Sequence, residues 1–220
     1  EPCTIEQVKA YQPETNSVSS GQVLHCPYDF EGARLIVKEM TDQMVLDLVD
    51  KGLVTDQIVL TIGYDIENLS DPKGRKMYKG VVTTDHYGRQ IPKHAHGTTN
   101  LKRQTSSTQM IMDAVMELYN RIVDKNLLIR RITITANKLI DERFAKQPDA
   151  YEQMDLFTDY KELERTRKKE DEALEREKNI QKAMLDIKKK YGKNAILKGM
   201  NLLEGATAKD RNEQIGGHKA

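Results

Sequence analysis

Apolar residues recur with a helical period in two stretches of the chain. The first predicted helix lies in DFEGARLIVKEMTDQMVLDLVDKG, ends at Gly52 and carries on one face Leu35, Ile36, Met40, Met44 and Leu48. The second lies in SSTQMIMDAVMELYNRIVDKN, where Ser106 is the candidate cap and the apolar stripe is Met110, Ala114, Leu118 and Ile122. Each helix therefore has one apolar face with which to cover a neighbouring element.

Four other stretches have the two-residue period or the composition of strands. NSVSSGQVL predicts a short strand over residues 16–24 that Pro27 ends, and TDQIVLTIGYD alternates apolar with polar residues. RQIPKHAHGTTNL is a further extended segment. In LLIRRITITANKL, one predicted face holds Leu128, Arg130, Ile132, Ile134 and Ala136, and the other holds Ile129, Arg131, Thr133, Thr135 and Asn137. Residues 66–88, with turns at Asp71-Pro72 and Lys73-Gly74, predict an excursion or a small hairpin.

The order strand, helix, strand, strand, helix, strand predicts an α+β fold. In this β-α-β-β-α-β arrangement, a four-stranded sheet carries both helices on one face. The other face stays open and is expected to hold Thr61, Arg131, Thr133, Thr135 and one of His94 and His96. Threonine and arginine side chains on an open sheet can lie against phosphates. No aromatic residue is evident on these strands, so the face is not of the base-stacking kind.

The pattern changes after Leu139. Residues 140–158 resemble a linker, and residues 159–191 predict one long helix, because 19 of the 30 residues from 161 to 190 are charged and none is Gly or Pro. Its narrow stripe of Ile180, Met184, Ile187 and Tyr191 suggests packing on one partner, in cis or in trans. Residues 192–220 are expected to form a mobile tail with a short helix or anchor in it.

Composition and charge narrow the classes of protein. The chain has 220 residues, 38% of them hydrophobic, no Trp and a mean hydropathy of −0.68, so its core is not expected to use the whole length. Residues 1–88 hold 8 Lys and Arg against 14 Asp and Glu, whereas residues 89–146 hold 11 against 5. Such a basic stretch suits either an anionic partner or an ordinary solvated surface.

No feature of the sequence predicts a membrane protein or a disulfide framework. No apolar run approaches the length of a membrane helix, so no membrane partner is expected. Two cysteines, Cys3 and Cys26, are too few for a disulfide framework and suggest a reducing, cytoplasmic setting.

No catalytic motif stands out, and we identify no catalytic residue. Nucleophile-elbow and P-loop motifs are absent from the sequence, and the acidic residues are scattered. His94 and His96, two residues apart, could share one face of a strand as zinc ligands do, but polar residues on an exposed strand are the favoured interpretation. We therefore predict no metal site and no cofactor in this chain.

The pentapeptide QMDLF, Gln153 to Phe157, places apolar residues between polar flanks. Linear motifs bind by inserting a few anchors into pockets while their flanks stay in water. A stray hydrophobic cluster that packs back on the domain explains the composition equally well. Both interpretations stay open on the motif alone.

Three stretches together resemble the C-terminal part of a bacterial Y-family translesion DNA polymerase, in the UmuC/DinB-like group of the ImpB/MucB/SamB family. NSVSSGQVL resembles the strand that opens that family's little-finger domain. HGTTNLKRQTSSTQMIMDAVMELYNRI followed by LLIRRITITANKL resembles its third strand, second helix and last strand. QMDLF is similar to the family's sliding-clamp-binding pentapeptide, Gln-x-x-Leu-Phe, and lies where the family has it.

The resemblance implies a domain division. Residues 1–15 would be a linker from a missing thumb, 16–139 the little finger, 140–158 a linker with the clamp motif, 159–191 a long charged helix and 192–220 a tail. Residues 66–88 are longer than the family's usual turn at this place.

The resemblance also implies partners and site residues. The partners would be duplex template–primer DNA, bound without regard to sequence, and the bacterial sliding clamp. An accessory protein at the C-terminal helix is a further possible partner. The DNA-binding residues would be Gly97, Thr98, Thr99, Lys102, Arg103, Arg131 and Thr133, and the clamp-binding residues would be Gln153, Met154, Leu156 and Phe157. The catalytic palm is missing, so polymerase activity and its Mg²⁺ would belong to the parent protein.

Two rival functions stay open at this point. One is a coiled-coil adaptor that dimerises through residues 159–191 and binds no DNA. The other is a zinc-binding RNA module that uses the histidines. The favoured hypothesis is a non-catalytic module that holds DNA and docks on the clamp for an error-prone polymerase in DNA repair.

Overall fold

The computed structural model describes residues 4–10, 16–70, 75, 78–145, 160–215 and 218–219. Its strands are β1 Val18–Tyr28, β2 Leu53–Tyr64, β3 Val82–Thr84, β4 Gln90–Pro92, β5 Ala95–Thr105, β6 Ile129–Asn137, β7 Ile140–Asp141, β8 Gln214–Ile215 and β9 His218–Lys219. Its α-helices are α1 Ile5–Ala10, α2 Phe30–Lys51, α3 Glu67–Ser70, α4 Thr108–Ile122, α5 Tyr160–Tyr191 and α6 Ala208–Asn212. Short 3-10 helices span Glu142–Phe144 and Gly199–Leu202. None of the helices in these described ranges is long and apolar enough to cross a bilayer.

The four long strands form an antiparallel sheet in the order β1-β6-β2-β5, and the short β7 pairs with the start of β2. Each helical crossover skips one strand, since α2 joins β1 to β2 around β6 and α4 joins β5 to β6 around β2. The predicted α+β class and the β-α-β-β-α-β order are confirmed.

Helix α2 begins and ends where the local chemistry dictates. The Asp29 side chain accepts a hydrogen bond from the Gly32 N–H at 2.8 Å, which satisfies one of the unpaired donors of the first turn. Gly52 ends the helix with a φ of 64°, a left-handed conformation that glycine adopts without a Cβ clash. Both helices bury their apolar faces on the sheet in one continuous core.

The cap predicted for α4 is wrong, and the predicted stripe is confirmed only in part. The cap is Ser107, whose hydroxyl accepts from the Met110 N–H at 3.3 Å, and Ser106 precedes it. The buried residues are Ile111, Val115, Leu118 and Tyr119, so the buried face is centred about one residue from the predicted stripe. Leu118 and the half-buried Ile122 of the predicted stripe pack against the core. Burial of Tyr119 causes the difference, because its ring packs on Phe30 and its hydroxyl donates to the Phe30 carbonyl at 2.8 Å.

The predicted end of the first strand is also wrong. β1 continues through Pro27 to Tyr28, with an irregularity in its pairing to β6 between Val23 and Tyr28. A proline is tolerated here because β1 is an edge strand and the register is already interrupted.

The alternation predicted for β6 fails at its first residues. Ile129 pairs with Tyr64 and Arg131 with Gly63, which leaves Arg130 as an extra residue in the ladder. This bulge reverses the phase, so Ile129 is buried, and the Arg130 guanidinium lies 3.7 Å from the Asp65 carboxylate. From Arg131 onward the predicted faces are confirmed.

Residues 66–88 contain the short helix α3 and, from Val82, the first strand of a hairpin. β3 pairs with β4 around a turn at residues 85–89, as the prediction of an excursion or small hairpin allowed. We call residues 81–93 the β3–β4 hairpin.

The predicted long helix is confirmed as α5, and it packs back on its own domain. The Glu177 carboxylate accepts from the Ser107 hydroxyl at 2.7 Å and from the Gln109 N–H at 3.2 Å, at the N-terminus of α4. Gln181 is buried and donates to the Ser106 carbonyl at 3.0 Å. Lys178 pairs with Glu142 at 2.5 Å. Ile180, Ile187 and Tyr191 of the predicted stripe remain exposed.

Residues 192–215 of the predicted tail, which we call the C-terminal clasp, contain the expected short helix as α6 and contact the domain. The clasp crosses the outer face of α2, where Lys198 forms an ion pair with Asp42. It also contacts β1, because the Tyr28 hydroxyl donates to the Gly205 carbonyl at 3.2 Å and Gln22 donates to the Thr207 hydroxyl at 3.1 Å. These polar contacts attach the clasp to α2 and β1.

One buried carboxylate on α2 receives four hydrogen bonds from the clasp. Glu39 is only 2% exposed. Its Oε1 accepts from the Asn201 amide at 2.8 Å, and its Oε2 accepts from the Thr207 N–H at 2.8 Å and from the Ala208 N–H at 3.1 Å. The Thr207 hydroxyl lies 3.3 Å from the same oxygen. Glu39 thus supplies acceptors to the first N–H groups of α6, which would otherwise be buried without partners.

We expect the substitution Glu39→Ala to lower the free energy of unfolding by about 2–3 kcal/mol, because it leaves several buried hydrogen-bond donors of the clasp without an acceptor. Thermal or urea unfolding measures this loss, and limited proteolysis should show faster cleavage within residues 192–215. Glu31→Ala is the matched control, since that carboxylate is exposed and makes only a surface pair with Arg34 at 3.3 Å. Equal effects of the two substitutions would show that Glu39 does not hold the clasp.

Candidate nucleic-acid interface

None of the described elements covers the sheet face opposite α2 and α4, and we call it the open face. Register and alternation place fifteen side-chain positions on it: Ser19, Gly21, Val23, Gln57, Val59, Thr61, Gly63, His96, Thr98, Asn100, Lys102, Arg131, Thr133, Thr135 and Asn137. None of these fifteen residues is acidic, and none is Phe, Tyr or Trp. The predicted placement of Thr61, Arg131, Thr133 and Thr135 is confirmed.

The open face is organised as rows of short polar side chains across the strands. In one row Ser19 and Thr135 share a hydrogen bond of 2.9 Å between their hydroxyls. In another, the Thr61 hydroxyl lies 2.9 Å from His96 Nδ1. In a third, Gln57 donates to Asn100 at 2.9 Å. These short, cross-linked side chains give a flat surface that retains many donors and acceptors.

Glycines make room around the central cation of the open face. Gly63 pairs with Arg131, and a Cβ at Gly63 would lie 3.1 Å from the Arg131 Cβ. Gly21 pairs with Thr133, where a Cβ would lie 3.5 Å from the threonine hydroxyl. The backbone around Arg131 and Thr133 is therefore accessible to a large, flat ligand.

Two cations of the open face keep their charge available. In the part of the chain that the structure describes, no carboxylate forms a salt bridge with Arg131 or Lys102. Two arginines next to them in sequence are paired instead, Arg130 with Asp65 at 3.7 Å and Arg103 with Asp171 of α5 at 3.6 Å. Among the fifteen open-face positions, Arg131 and Lys102 are the two Lys and Arg residues.

The structure divides the seven residues predicted to bind DNA between the two faces of the sheet. Thr98, Lys102, Arg131 and Thr133 lie on the open face, whereas Gly97, Thr99 and Arg103 alternate to the helical side. Gly97 lies directly beneath α4, where a Cβ would come within 2.9 Å of Leu118 Cδ1 and 3.0 Å of Ile122 Cγ2. This position suits close packing of β5 against the helix. DNA contact by any of the seven stays a prediction.

The seven residues predicted to bind DNA did not include any open-face residue of β1 or β2. Ser19, Gly21, Gln57 and Gly63 were missed, although alternation along those strands carries the signal. That signal becomes specific only once the strand order places β1 beside β6 and β2 beside β5. Asn100 was missed for the same reason.

The structure describes the two candidate zinc ligands, His94 and His96, but not the clamp motif. The rings of His94 and His96 lie 6.5 Å apart and both residues are exposed. Among the described residues, no group of three or more His, Cys, Asp or Glu is arranged to hold a metal ion. Gln153, Met154, Leu156 and Phe157 lie outside the described residues, so their role in clamp binding stays a prediction.

An antiparallel split β-α-β sheet with one helical face and one flat polar face defines the class of domain. Residues 15–156 match the model of the impB/mucB/samB family C-terminal domain. The chain belongs to this family, since the match covers well over half of its 220 residues. It is consistent with the C-terminal region of a Y-family DNA polymerase. No curated protein matches the chain. Helix α5 and the clasp come after the matched residues.

We expect Gly97→Ala to destabilise the domain by about 1 kcal/mol, because the added methyl group forces Leu118 and Ile122 to move within a packed layer. Urea unfolding measures the change. Gly199→Ala is the control, since a Cβ there meets nothing within 4 Å. A Gly97→Ala variant as stable as the parent would contradict the spacing role.

Proposed function

We propose that this chain is a non-catalytic module that holds duplex DNA, without regard to sequence, for a translesion DNA polymerase. The observation that carries the proposal is the open face. It combines rows of hydroxyl and amide groups with two cations that form no salt bridge with any described residue, and none of its fifteen positions is acidic. Membership of the impB/mucB/samB family, with its DNA-repair context, supports the same function.

The chemistry of the open face suits phosphates better than bases. Hydroxyls, amides and cations bind phosphate oxygens and fix the position of a duplex without specifying its sequence. Base stacking requires aromatic platforms, which these fifteen positions do not provide. Binding would therefore be weak, indifferent to sequence and strongly dependent on salt.

We further propose that QMDLF docks on a bacterial sliding clamp. Support comes from the resemblance of the pentapeptide to the family's clamp-binding motif and from its position at the end of the matched domain, which extends to residue 156. Docking would raise the concentration of the polymerase at the primer end by tethering it there. Polymerase chemistry and its Mg²⁺ would reside elsewhere in the parent protein, in the cytoplasm.

The coiled-coil adaptor is the second candidate function, favoured by the exposure of Ile180, Ile187 and Tyr191 on α5. A neighbouring face of the same helix already packs on the domain through Glu177 and Gln181. Dimerisation would therefore have to use the narrow exposed stripe of Ile180, Ile187 and Tyr191. This stripe is weaker support for an adaptor than the open face is for DNA binding. An accessory protein at this stripe is compatible with the first proposal.

We expect Arg131→Ala and Lys102→Ala each to weaken binding of duplex DNA and to lower the slope of log K against log salt concentration by about 1, because each removes one phosphate contact. Fluorescence anisotropy over a salt series, with duplexes of different sequence, measures both effects. Lys182→Ala is the charge-matched control, since Lys182 is exposed on α5 in the helical layer. If the control lowers affinity and slope equally, net charge and not the open face determines binding.

We expect the double substitution Leu156→Ala/Phe157→Ala to abolish calorimetric binding to a bacterial sliding clamp and to leave DNA affinity nearly unchanged, because it removes the apolar anchors and no charge. Phe144→Ala is the control for loss of an exposed aromatic residue close in sequence, since Phe144 is 73% exposed. Parental clamp affinity in the double variant would refute the assignment.

A further inference from the structure

An exposed tyrosine stands at the tip of the β3–β4 hairpin. Tyr87 is 78% exposed, the largest exposed fraction among the large hydrophobic side chains described. Among the described residues its ring contacts only hairpin neighbours. The Arg89 guanidinium carbon lies 5.1 Å from the ring centroid, and the His86 ring is edge-on at 5.5 Å. An aromatic ring of this size in water contributes nothing to the core.

The turn that presents Tyr87 is held rigidly by one carboxylate. Asp85 Oδ1 accepts from the N–H groups of Tyr87 and Arg89, both at 2.9 Å, and Asp85 Oδ2 pairs with the Arg89 side chain at 2.7 Å. Gly88 completes the turn with a φ of 79°. Side-chain hydrogen bonding from Arg89 lowers the pKa of Asp85, so this lock is present at neutral pH. A pre-organised ring loses little conformational entropy when it binds a ligand.

The base of the hairpin adjoins the open face. The Lys93 N–H donates to the Val81 carbonyl at 2.8 Å and closes the base, and the chain then passes through His94 into β5. The His94 ring lies 6.5 Å from that of His96, which belongs to the open face. At about 3.3 Å per residue, β3 and its turn put the tip on the order of 10–20 Å from this edge. That distance is comparable to the width of a DNA groove, roughly 12 Å for the major groove.

The charge around the tip suits a nucleic acid. Residues 79–94 hold three Lys and Arg against one acidic residue, Asp85, which Arg89 neutralises. Arg89 covers one side of the Tyr87 ring, which leaves the other side for a flat ligand. Every base has a face that can stack on such a ring, whatever the sequence.

We propose that Tyr87, at the tip of the β3–β4 hairpin, stacks on an unpaired base of DNA whose duplex portion lies on the open face. This inference rests on the proposed function and adds a second contact to it, at the junction between double-stranded and single-stranded DNA. The hairpin then extends the interface beyond the phosphate contacts, and a preference for junctions over blunt duplex follows.

The chain contains no Trp, so Tyr87→Trp introduces a single indole that reports stacking directly. We expect its fluorescence to be quenched when the full chain is saturated with a duplex that carries a single-stranded template overhang, and much less with blunt duplex. Tyr191→Trp, an exposed site on α5, should give no quenching with either DNA.

Affinity gives the second readout. Tyr87→Ala should bind the overhang duplex about fivefold to tenfold more weakly with an unchanged salt slope, because stacking and not charge is lost, and Tyr87→Phe should bind like the parent.

Anisotropy run in parallel separates the two hypotheses. Saturable DNA binding without quenching, together with an unaltered Tyr87→Ala variant, would overturn the hairpin contact and leave the open face as the DNA site. Absence of DNA binding by the parent chain would overturn both. Parental DNA affinity in Tyr87→Ala together with binding of a protein partner through the tip would also overturn stacking.

Discussion

Packing of α2 and α4 on one face of the sheet is the constraint on which the other features depend. The apolar faces of both helices and the inner residues of all four long strands form a single core. Since the two crossovers lie on the same side, the opposite sheet face has no covering layer among the residues that the structure describes. Its residues must be compatible with water, and that requirement is met by Ser, Thr, Asn, Gln, Arg and Lys. The same requirement leaves the face available to a polar, anionic ligand.

Alternation of residues was enough to predict the sheet and much of its open face. Ile58, Leu60 and Ile62 alternate cleanly, and Arg131, Thr133 and Thr135 fall where a two-residue period puts them. The pattern failed where the backbone departs from regular pairing, at Pro27 in β1 and at Arg130 in β6. A bulge inserts one residue, so the faces on its two sides are out of phase with each other, and no local signal marks it in this sequence. The predicted binding residues Gly97, Thr99 and Arg103 were neighbours of open-face positions and alternate to the other side.

The sequence pattern did not predict the polar contacts between residues that are distant along the chain. The cap of α4 was assigned to Ser106 because Ser106 and Ser107 are chemically equivalent, and only burial of Tyr119 decides between the two rotations of the helix. Residues 192–215 were expected to belong to a mobile tail with a short helix or anchor in it. Its attachment depends on Glu39, a residue that helical periodicity assigns to the outer face of α2. Long-range hydrogen bonds of this kind leave no periodic trace in either partner.

The polar character of the clasp contact bears on the order in which the chain can fold during synthesis. Glu39 and Thr207 are 168 residues apart, so α2 is synthesised well before the segment that finally covers it. Contacts this distant form late, because their loop-closure entropy is met only after local structure is present. Had the covered face of α2 been apolar, the nascent domain would expose a sticky surface during that interval. The carboxylates of Glu39 and Asp42 are hydrated until the clasp is synthesised. The sheet and its two helices can therefore assemble on the ribosome before residues 192–215 emerge.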